Sequence, residues 1–259
     1  MGERIGTFAR RLGTATMPLW ILVLFGGVWG VIAQFYPPNQ FPGPAAMAQA
    51  LIEVAMDGRL WSNIWVSLMR FAAGYLLAVA VAIPMGLLLG RFNILGRLFD
   101  PLIQVMRPIS PIAWFPLAVL WFGIGNAPAI YIIYLAAFFP VLVTTIGAVR
   151  AIPPVYLKVA ANFGATPKMT FLRVIVPAAF PGIMVGLHIA VGTAWIHLVA
   201  GEMLGAQSGL GYMIVDARNF LRTDLIMAGM LVIGVLGLAI YRGMRALERV
   251  VGRYWGLGQ

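Results

Sequence analysis

Residues 161–183 read ANFGATPKMTFLRVIVPAAFPGI, a polar and basic passage between two long apolar runs. Just before it, Pro153 is expected to end the preceding helix, and residues 154–163 are predicted to form a short helix. Gly164 marks the end of that helix, because glycine tolerates the left-handed backbone conformation that follows many helices. The chain is therefore predicted to turn sharply at Gly164.

A second short helix is predicted after this turn. Thr166 followed by Pro167 is typical of a helix cap and a first helical residue. Pro177 and Pro181 are expected to stop the second helix and to direct the chain into the next apolar run. Residues 150–179 thus form a compact helical elbow, which by spacing alone fits a well-capped connector and a docking surface equally well.

The apolar runs on either side of the elbow are long enough to cross a membrane. The chain has 259 residues, a mean hydropathy of +0.92 and only 10% charged residues. A bilayer core needs roughly 20 consecutive apolar residues in a helix, and barrel strands are shorter and alternate in polarity. We therefore predict an all-α integral membrane protein, a single transmembrane domain over residues 1–259. About six transmembrane helices are expected, at residues 17–35, 68–89, 102–122, 127–149, 180–200 and 225–241.

Lysine and arginine are distributed unevenly between the loops. Cytoplasmic loops of membrane proteins are enriched in these residues, so the net charge of +10 indicates orientation rather than nucleic-acid binding. Both termini and the elbow are then predicted to lie in the cytoplasm. The residues assigned to the inside are Arg4, Arg10, Arg11, Arg91, Arg97, Arg150, Lys158, Lys168, Arg173, Arg242, Arg245, Arg249 and Arg253, and those assigned to the outside are Arg59, Arg218 and Arg222.

Two segments are predicted on the outer side. Residues 42–64 follow a Pro-Gly-Pro break and have the spacing of an amphipathic helix lying on the membrane surface. Residues 203–224 include a glycine-rich turn that starts at Gly205, followed by a short helix. The segment is too polar to span the membrane and too apolar to lie free in water. We expect this second segment to pack against the outer mouth of the bundle, on the side of a gate.

Several classes of function are excluded by what the sequence lacks. The chain has no cysteine, which excludes disulfides, thiolate metal sites and cysteine nucleophiles. No GxxxxGK[ST] phosphate loop, no HExxH metal motif and no GxSxG elbow occurs. No catalytic residue, metal site or ATP hydrolysis is therefore expected from this chain itself.

The third predicted span contains three prolines and several polar residues. Each proline removes a backbone donor and leaves a carbonyl without its usual partner, so this helix is expected to face a protein interior or a water-lined path. Gln104, Arg107 and Ser110 lie beside the break and are candidates for a path. For Arg107 two interpretations stand. It has an anion-binding role in the path, or its side chain extends to the nearby membrane interface or pairs with Asp100.

The other path candidates lie in the fifth predicted span or directly after it. Thr193, His197 and Glu202 are polar residues at depth and are predicted to contribute to a path or gate. Gly182 and Gly186 form a pair of small residues that favours close contact with another helix, in this chain or in a second copy. Arg70, in the second span, is interpreted as an interfacial anchor.

The residue order in the elbow resembles a known signature. Ala160-Ala161, Gly164-Ala165 and Ile175-Val176-Pro177-Ala178-Ala179 resemble the cytoplasmic loop of the membrane subunits of ATP-binding-cassette importers. The resemblance covers about residues 40–250 and is strongest to the nitrate, sulfonate, taurine and bicarbonate branch. The motifs that carry it are FPGP at 41–44, SLMRFAAGY at 67–75, DPLIQVMRPISPIAWFPLAVLWFGIG at 100–125 and GEMLGAQSGLGYMIVDARNFLRTD at 201–224.

This resemblance implies the type I permease fold of these importers and a set of partners. Two copies would surround one path in a bacterial inner membrane, and an extracytoplasmic solute-binding protein would deliver the solute. Cytoplasmic ATPase subunits would hold ATP and magnesium, and this chain would bind no cofactor. The elbow residues implied to couple to the ATPase are Lys158, Ala160, Ala161, Gly164, Ala165, Thr166, Pro167 and Pro177. The family loop usually begins with glutamate, where this chain has Lys158.

The substrate implied by the resemblance is a small anion. Residues 205–224 look most like the sulfonate and taurine branch, and nitrate and bicarbonate are alternatives for the same architecture. A channel without an energy source and a membrane-embedded enzyme are alternatives of a different class. Either would need ionisable residues that converge at one depth, whereas those of this sequence are scattered.

Overall fold

A computed structural model describes residues 20–254 apart from residue 22, with side chains up to residue 252. Every regular element in this part of the chain is a helix. The elements are α1 (Val23–Ala33), α2 (Pro44–Met56), α3 (Arg59–Arg91), α4 (Asn93–Met106), a 3-10 turn (Pro111–Trp114) leading into α5 (Phe115–Phe122), α6 (Asn126–Arg150), α7 (Pro154–Asn162), α8 (Pro167–Thr170), a π-helical turn (Phe171–Ile175), α9 (Val176–Gly205), α10 (Leu210–Asn219) and α11 (Thr223–Tyr254).

Four helices of the described chain are long and apolar enough to cross a membrane. They are Arg59–Arg91, Asn126–Arg150, Pro167–Gly205 and Thr223–Gly252. The predicted spans at 68–89, 127–149, 180–200 and 225–241 each lie inside one of these helices and are confirmed. The all-α membrane fold is therefore confirmed, while the count of six remains approximate.

The chain packs as two compact units. One comprises the described residues up to Arg59 together with Ile214–Leu231, and the other comprises Leu60–Met213 and the described residues from Val232 onward. The expectation of a single domain over residues 1–259 stays a prediction, because part of that range lies outside the described residues.

In the second unit, α6 lies between α3 and α9 in close contact with both. A Cβ added at Gly86 of α3 would lie 2.6 Å from Thr145 Cβ of α6. On the other side, a Cβ at Gly182 of α9 would come within 2.5 Å of Ala148, and one at Gly186 would overlap Thr144. The small residues of α9 thus pack tightly against a helix, as predicted, and that helix is α6 of the same chain.

The core of this unit is built from the facing sides of α3, α6 and α9, and α11 packs on it. Ile133, Val141 and Leu142 of α6 are fully buried. Trp195 of α9 contributes its indole N–H, which donates to the Ile233 carbonyl of α11 at 3.1 Å. Because this donor is satisfied, the indole can be buried in an apolar helix bundle at little cost.

The third predicted span, at residues 102–122, is not one continuous helix. Its two parts, Asn93–Met106 and Pro111–Phe122, are bent by 85° at the break between them. Pro108 and Pro111 lie in or beside that break and cannot donate the backbone hydrogen bonds that a straight helix requires. The prediction of a proline-weakened helix was correct, but the segment is a broken span or a re-entrant pair.

The second helix of the elbow also differs from the prediction, because Pro177 and Pro181 do not end it. Residues Pro167–Gly205 run on as one span, with a π-helical turn between α8 and α9. In that turn the Val176 N–H donates to the Phe171 carbonyl, five residues earlier. Pro177 directly follows this wider turn, at the start of α9. The altered hydrogen bonding of the turn accommodates the N–H that proline lacks.

The first unit holds most of the predicted segment 42–64 and the described part of the first predicted span. The amphipathic segment expected at 42–64 is shorter than predicted: α2 ends at Met56, Gly58 has a φ of +78°, and α3 begins at Arg59. Of the first predicted span, 17–35, residues 17–19 and 22 lie outside the described residues, and Val23–Ala33 is a short apolar helix. Near the start of α11, Arg222 pairs with Glu53 at 2.8 Å, and this contact lowers the pKa of the Glu53 carboxyl.

Candidate functional site

The predicted elbow is present, and its turn has the geometry that the sequence indicates. Gly164 has a φ of +72°, a conformation that favours glycine. The N–H of Ala165 donates to the Ala160 carbonyl at 3.0 Å and closes the last turn of α7. Thr166 caps the next helix, since its Oγ1 accepts from the Met169 N–H at 3.3 Å. Both helix ends are therefore satisfied, which holds the elbow in one shape.

One side of the elbow is exposed although it is apolar. Phe163 is 88% exposed, and Val155, Tyr156 and Val159 of α7 are also exposed. The other side is anchored by Leu157, which packs against a buried cluster that includes Ile175. Of the residues predicted to couple to a partner, Lys158, Ala161, Gly164, Thr166 and Pro167 are exposed, and Ala160, Ala165 and Pro177 are half-buried.

The elbow is connected to the bundle through α9. A cavity of about 480 Å³ separates its inner side from the end of α3, lined among others by Arg91, Ala165 and Pro167. In contrast, α8 continues through the π-helical turn into α9 without an unstructured linker. The elbow is therefore joined to α9 by continuous helix, while it meets α3 through side-chain packing at Leu157 and Leu87.

A second cavity lies further along α9, beside the bend between α4 and α5. It has a volume of about 270 Å³ and brings together three of the predicted path residues, Arg107, Thr193 and His197. Gln104 and Ser110 are exposed and do not line it, and Glu202 lies elsewhere. Arg107 is exposed, lines the cavity and forms no ion pair with Asp100. An anion-binding role and extension to the membrane interface both stay predictions for this residue.

The hydrogen bonds of the cavity wall fix its polar side chains. The Thr193 hydroxyl has the Ala136 carbonyl of α6 as an acceptor at 3.0 Å. His197 Nδ1 lies 2.8 Å from the Thr193 carbonyl, and because a carbonyl only accepts, Nδ1 carries the proton. His197 Nε2 is thereby left for another partner. No group of side chains that could hold a metal ion occurs in the described part of the chain.

Glu202 belongs to a separate, buried cluster with Arg70. The Arg70 Nη1 donates to Glu202 Oε1 at 2.7 Å, and the two residues are 3% and 1% exposed. Ser67, fully buried on α3, donates to the same carboxylate at 2.8 Å. Arg70 also donates to Asn126 Oδ1 at the start of α6 and to Ser208 in the loop after α9. The interpretation of Arg70 as an interfacial anchor was therefore wrong.

The sequence contains signals for this cluster that appear only when residues are considered in pairs. A charged residue in a membrane helix normally has a partner. Arg70 lies in one predicted span, and the opposite charge of Glu202 lies two residues after another. Ser67 lies one helical turn before Arg70, and the glycine-rich turn begins directly after Glu202. What the sequence alone could not supply was the register of α3 against α9, which determines whether the two charges meet.

The described geometry agrees with the comparisons with known proteins. The family model described as binding-protein-dependent transport system inner membrane component matches residues 82–253. A protein of Methanocaldococcus jannaschii named as an ABC transporter permease is 39% identical over 227 residues, 85% of this chain and 85% of that protein.

Two further relatives carry the name of a transported solute. The taurine transport system permease protein of Escherichia coli is 36% identical, covering 90% of this chain and 88% of that protein. The nitrate import permease protein of Synechococcus elongatus is 34% identical, covering 89% of this chain and 87% of that protein. Among solved structures, an inward-facing MetNI methionine ABC transporter matches 73% of this chain and 98% of the other chain, with a TM-score of 0.56 and 21% identity. That likeness shows the fold.

Proposed function

Since the chain belongs to the family of binding-protein-dependent transport system inner membrane components and is the membrane-spanning permease subunit of an ATP-binding-cassette importer, we propose a role in transport for each of its parts. ATP is hydrolysed on a separate subunit in this family. The permease lies in the bacterial inner membrane as a multi-pass protein, with both termini and the elbow in the cytoplasm. Two copies surround one path, and a solute-binding protein delivers the solute from outside.

The exposed elbow is the observation that carries this proposal. A surface with Phe163 and Tyr156 in water is unfavourable for a free protein and suits a partner that covers it. Lys158 adds a positive charge, so the groove of the ATPase is expected to present an acidic group there. Closure of the ATPases around ATP and magnesium then moves the elbow. Because the elbow is continuous with α9, this movement reaches the cavity wall at Thr193 and His197.

The cavity beside the bend serves as a part of the path for an anion. Arg107 supplies the positive charge that attracts the anion. The Thr193 hydroxyl and Nε2 of a neutral His197 are acceptors there, because the hydroxyl proton is donated to the Ala136 carbonyl and the ring proton is on Nδ1. Gln104 and Ser110 remain predicted path residues, on the exposed side of the bend. In an alternating-access cycle, ATP binding shifts the equilibrium between inward-open and outward-open states, and this chain contributes the contacts that differ between them.

The substrate that we favour is an aliphatic sulfonate such as taurine. The taurine permease is similar to this chain over 90% of its length, including the segment 203–224. Nitrate is the second candidate, because the nitrate permease is similar over 89% of the chain. Nitrate and the sulfonate group of taurine both carry negative charge on oxygens that a guanidinium can bind in pairs, which fits a site with Arg107 as its charge.

Co-purification from the native membrane tests the coupling role. We expect the tagged chain in mild detergent to bring down an ATPase subunit in about equal amount. Phe163→Asp should abolish this association, because it places a charge in the covered surface. Phe220→Asp is the matched control, since Phe220 is also exposed, at 73%, but lies outside the elbow. A wild-type chain that purifies without any ATPase, or a Phe163→Asp variant that retains it, would contradict the proposal.

Substitution of Arg107 tests the path. We expect Arg107→Gln to reduce uptake of the anion about tenfold or more, since a hydrogen bond to a charged group contributes about 1.5–3 kcal/mol. ATPase binding should be unchanged, because the elbow is untouched. Arg97→Gln removes an exposed arginine of α4 that does not line the cavity, and it should leave uptake unchanged. Equal uptake by the Arg107→Gln variant and the wild type would remove Arg107 from the path.

A further inference from the structure

The buried Arg70–Glu202 cluster is separate from both the elbow and the cavity, and neither uses it. Its members come from four places in the chain: Ser67 and Arg70 from α3, Asn126 from α6, Glu202 from α9, and Ser208 from the loop between α9 and α10. A buried ion pair in a membrane protein is costly unless all its groups are satisfied. The hydrogen-bonding groups of Arg70 and Glu202 have partners, and the loop provides several of them. These bonds offset the cost of burying the two charges.

Residues 206–211 comprise the connection after α9 and the first two residues of α10, and are called the loop 206–211 below. They are held by hydrogen bonds to the charged pair and its neighbours. Ser208 accepts from Arg70 twice, through its carbonyl oxygen at 2.6 Å and its hydroxyl oxygen at 2.8 Å. The N–H of Leu210 donates to Ser67 Oγ at 2.9 Å, and the N–H of Gly211 donates to Glu202 Oε2 at 2.9 Å. The loop therefore wraps around the carboxylate instead of extending away from it.

The glycines of the loop are required by this close wrapping. Gly209 has a φ of +106°, and a Cβ there would overlap the Glu202 carboxylate. A Cβ at Gly211 would come within 2.7 Å of Glu202 Cβ. The N–H of Gly209 donates to Asn63 Oδ1 at 2.8 Å and adds a further contact with α3. The glycine-rich sequence after α9 thus serves a fitted contact rather than flexibility.

We propose that the Arg70–Glu202 cluster is a clamp that fixes the loop 206–211 to α3, α6 and α9, so that Arg70 and Glu202 act as positioning residues for transport. The consequence for transport rests on the proposed function. Glu202 is on the same helix as Thr193 and His197, so a loop held by Glu202 moves with the cavity wall. The clamp thereby connects the loop 206–211, at the end of α9, to the helix whose beginning is continuous with the elbow.

The Arg70→Lys variant distinguishes a clamp, which depends on all the hydrogen bonds of the guanidinium, from an ion pair alone. Lysine keeps a positive charge for Glu202, but its compact ammonium cannot reach Asn126 and both Ser208 oxygens as the planar guanidinium does. The loop should therefore loosen without leaving an unpaired buried carboxylate. Arg59→Lys is the matched control, because Arg59 pairs with Asp57 at an exposed position, with side chains 56% and 44% exposed.

A buried thiol in the loop measures the loosening directly. The chain has no cysteine, so a single Ala206→Cys substitution gives one reporter, and Ala206 is 8% exposed. In the purified assembly we expect Arg70→Lys to raise the rate of thiol modification at this reporter about tenfold, as for the loss of one or two hydrogen bonds. A second reporter, Ala137→Cys, is in the core of α6 with 0% exposure and should react no faster.

The outcomes separate the clamp from general stability and from the transport function. An unchanged rate at Ala206→Cys, or an equal acceleration at Ala137→Cys, would overturn the clamp. Solute taken up per ATP hydrolysed, which does not depend on the amount of folded protein, should fall in Arg70→Lys and not in Arg59→Lys. If the loop loosens and this ratio is unchanged, the positioning role is wrong. If the wild type neither binds an ATPase nor takes up solute, the proposed function fails, while the thiol rates still decide on the clamp.

Discussion

Replacing Gly186 with leucine should destabilise the bundle by about 3 kcal/mol, the upper end of the usual cost of overpacking a well-packed interior. The leucine Cβ would overlap the Thr144 hydroxyl, and it would lie 3.4 Å from the Pro140 carbonyl of α6. A backbone carbonyl cannot rotate away, so α6 and α9 would have to separate. That separation would also break the bond from the Thr193 hydroxyl to the Ala136 carbonyl.

The same substitution at Gly192 provides the control for this prediction. Gly192 is on α9 as well, and no heavy atom lies within 4 Å of the position of its missing Cβ. Gly192→Leu should therefore leave the free energy of unfolding nearly unchanged, measured by titration from mild detergent into a denaturing one. The close contact of α6 and α9 would be refuted by equal stability of the two variants.

The sequence predicts the long spans of this protein well, because hydropathy responds directly to the membrane. The run at 127–149, for example, corresponds to α6 with its ends displaced by one residue. The first helix of the elbow and the turn after it were predicted to similar accuracy, since the caps at Gly164 and Thr166 act within a few residues of chain. In both cases the determining interactions are local, or they are made with the bilayer rather than with a distant residue.

The effect of proline could not be predicted from local sequence alone. Pro84, Pro140 and Pro181 lie inside helices that continue, whereas the helix breaks between Met106 and Pro111. A proline removes one donor wherever it occurs. Whether the helix continues depends on how neighbouring helices, hydroxyl groups or a local π-helical turn satisfy the released carbonyl. Those partners are set by tertiary packing, which sequence spacing does not contain.

Prediction of the candidate site from sequence is limited by tertiary packing in the same way. Polarity within apolar helices was enough to select Arg107, Thr193 and His197, which meet at one cavity. Polarity also selected Glu202, but its partner Arg70 is 132 residues away along the chain. Their pairing depends on the axial register between α3 and α9. That register is set by the glycine contacts of both helices with α6, none of which can be read from charge alone.

Removing the Glu202 carboxylate should be among the most damaging single changes in this chain. Glu202→Met leaves the Arg70 guanidinium buried without a counter-ion, a loss that costs about 3–5 kcal/mol in buried pairs. It also removes the acceptor for the Gly211 N–H and one partner of Ser67. We expect the free energy of unfolding to fall accordingly, and Arg70→Met should cost a similar amount because it leaves the carboxylate unpaired.

The double variant distinguishes a charge pair from two independent contacts. Arg70→Met combined with Glu202→Met leaves no buried charge, so its cost should be at least about 2 kcal/mol less than the sum of the two single variants. The corresponding cycle at the exposed pair Asp57 and Arg59 should show almost no coupling, since water screens both groups. Additive losses at Arg70 and Glu202 would mean that the two charges are stabilised separately by their neutral neighbours. A clamp needs the opposite result, because the loop 206–211 is held only while one charge keeps the other in place.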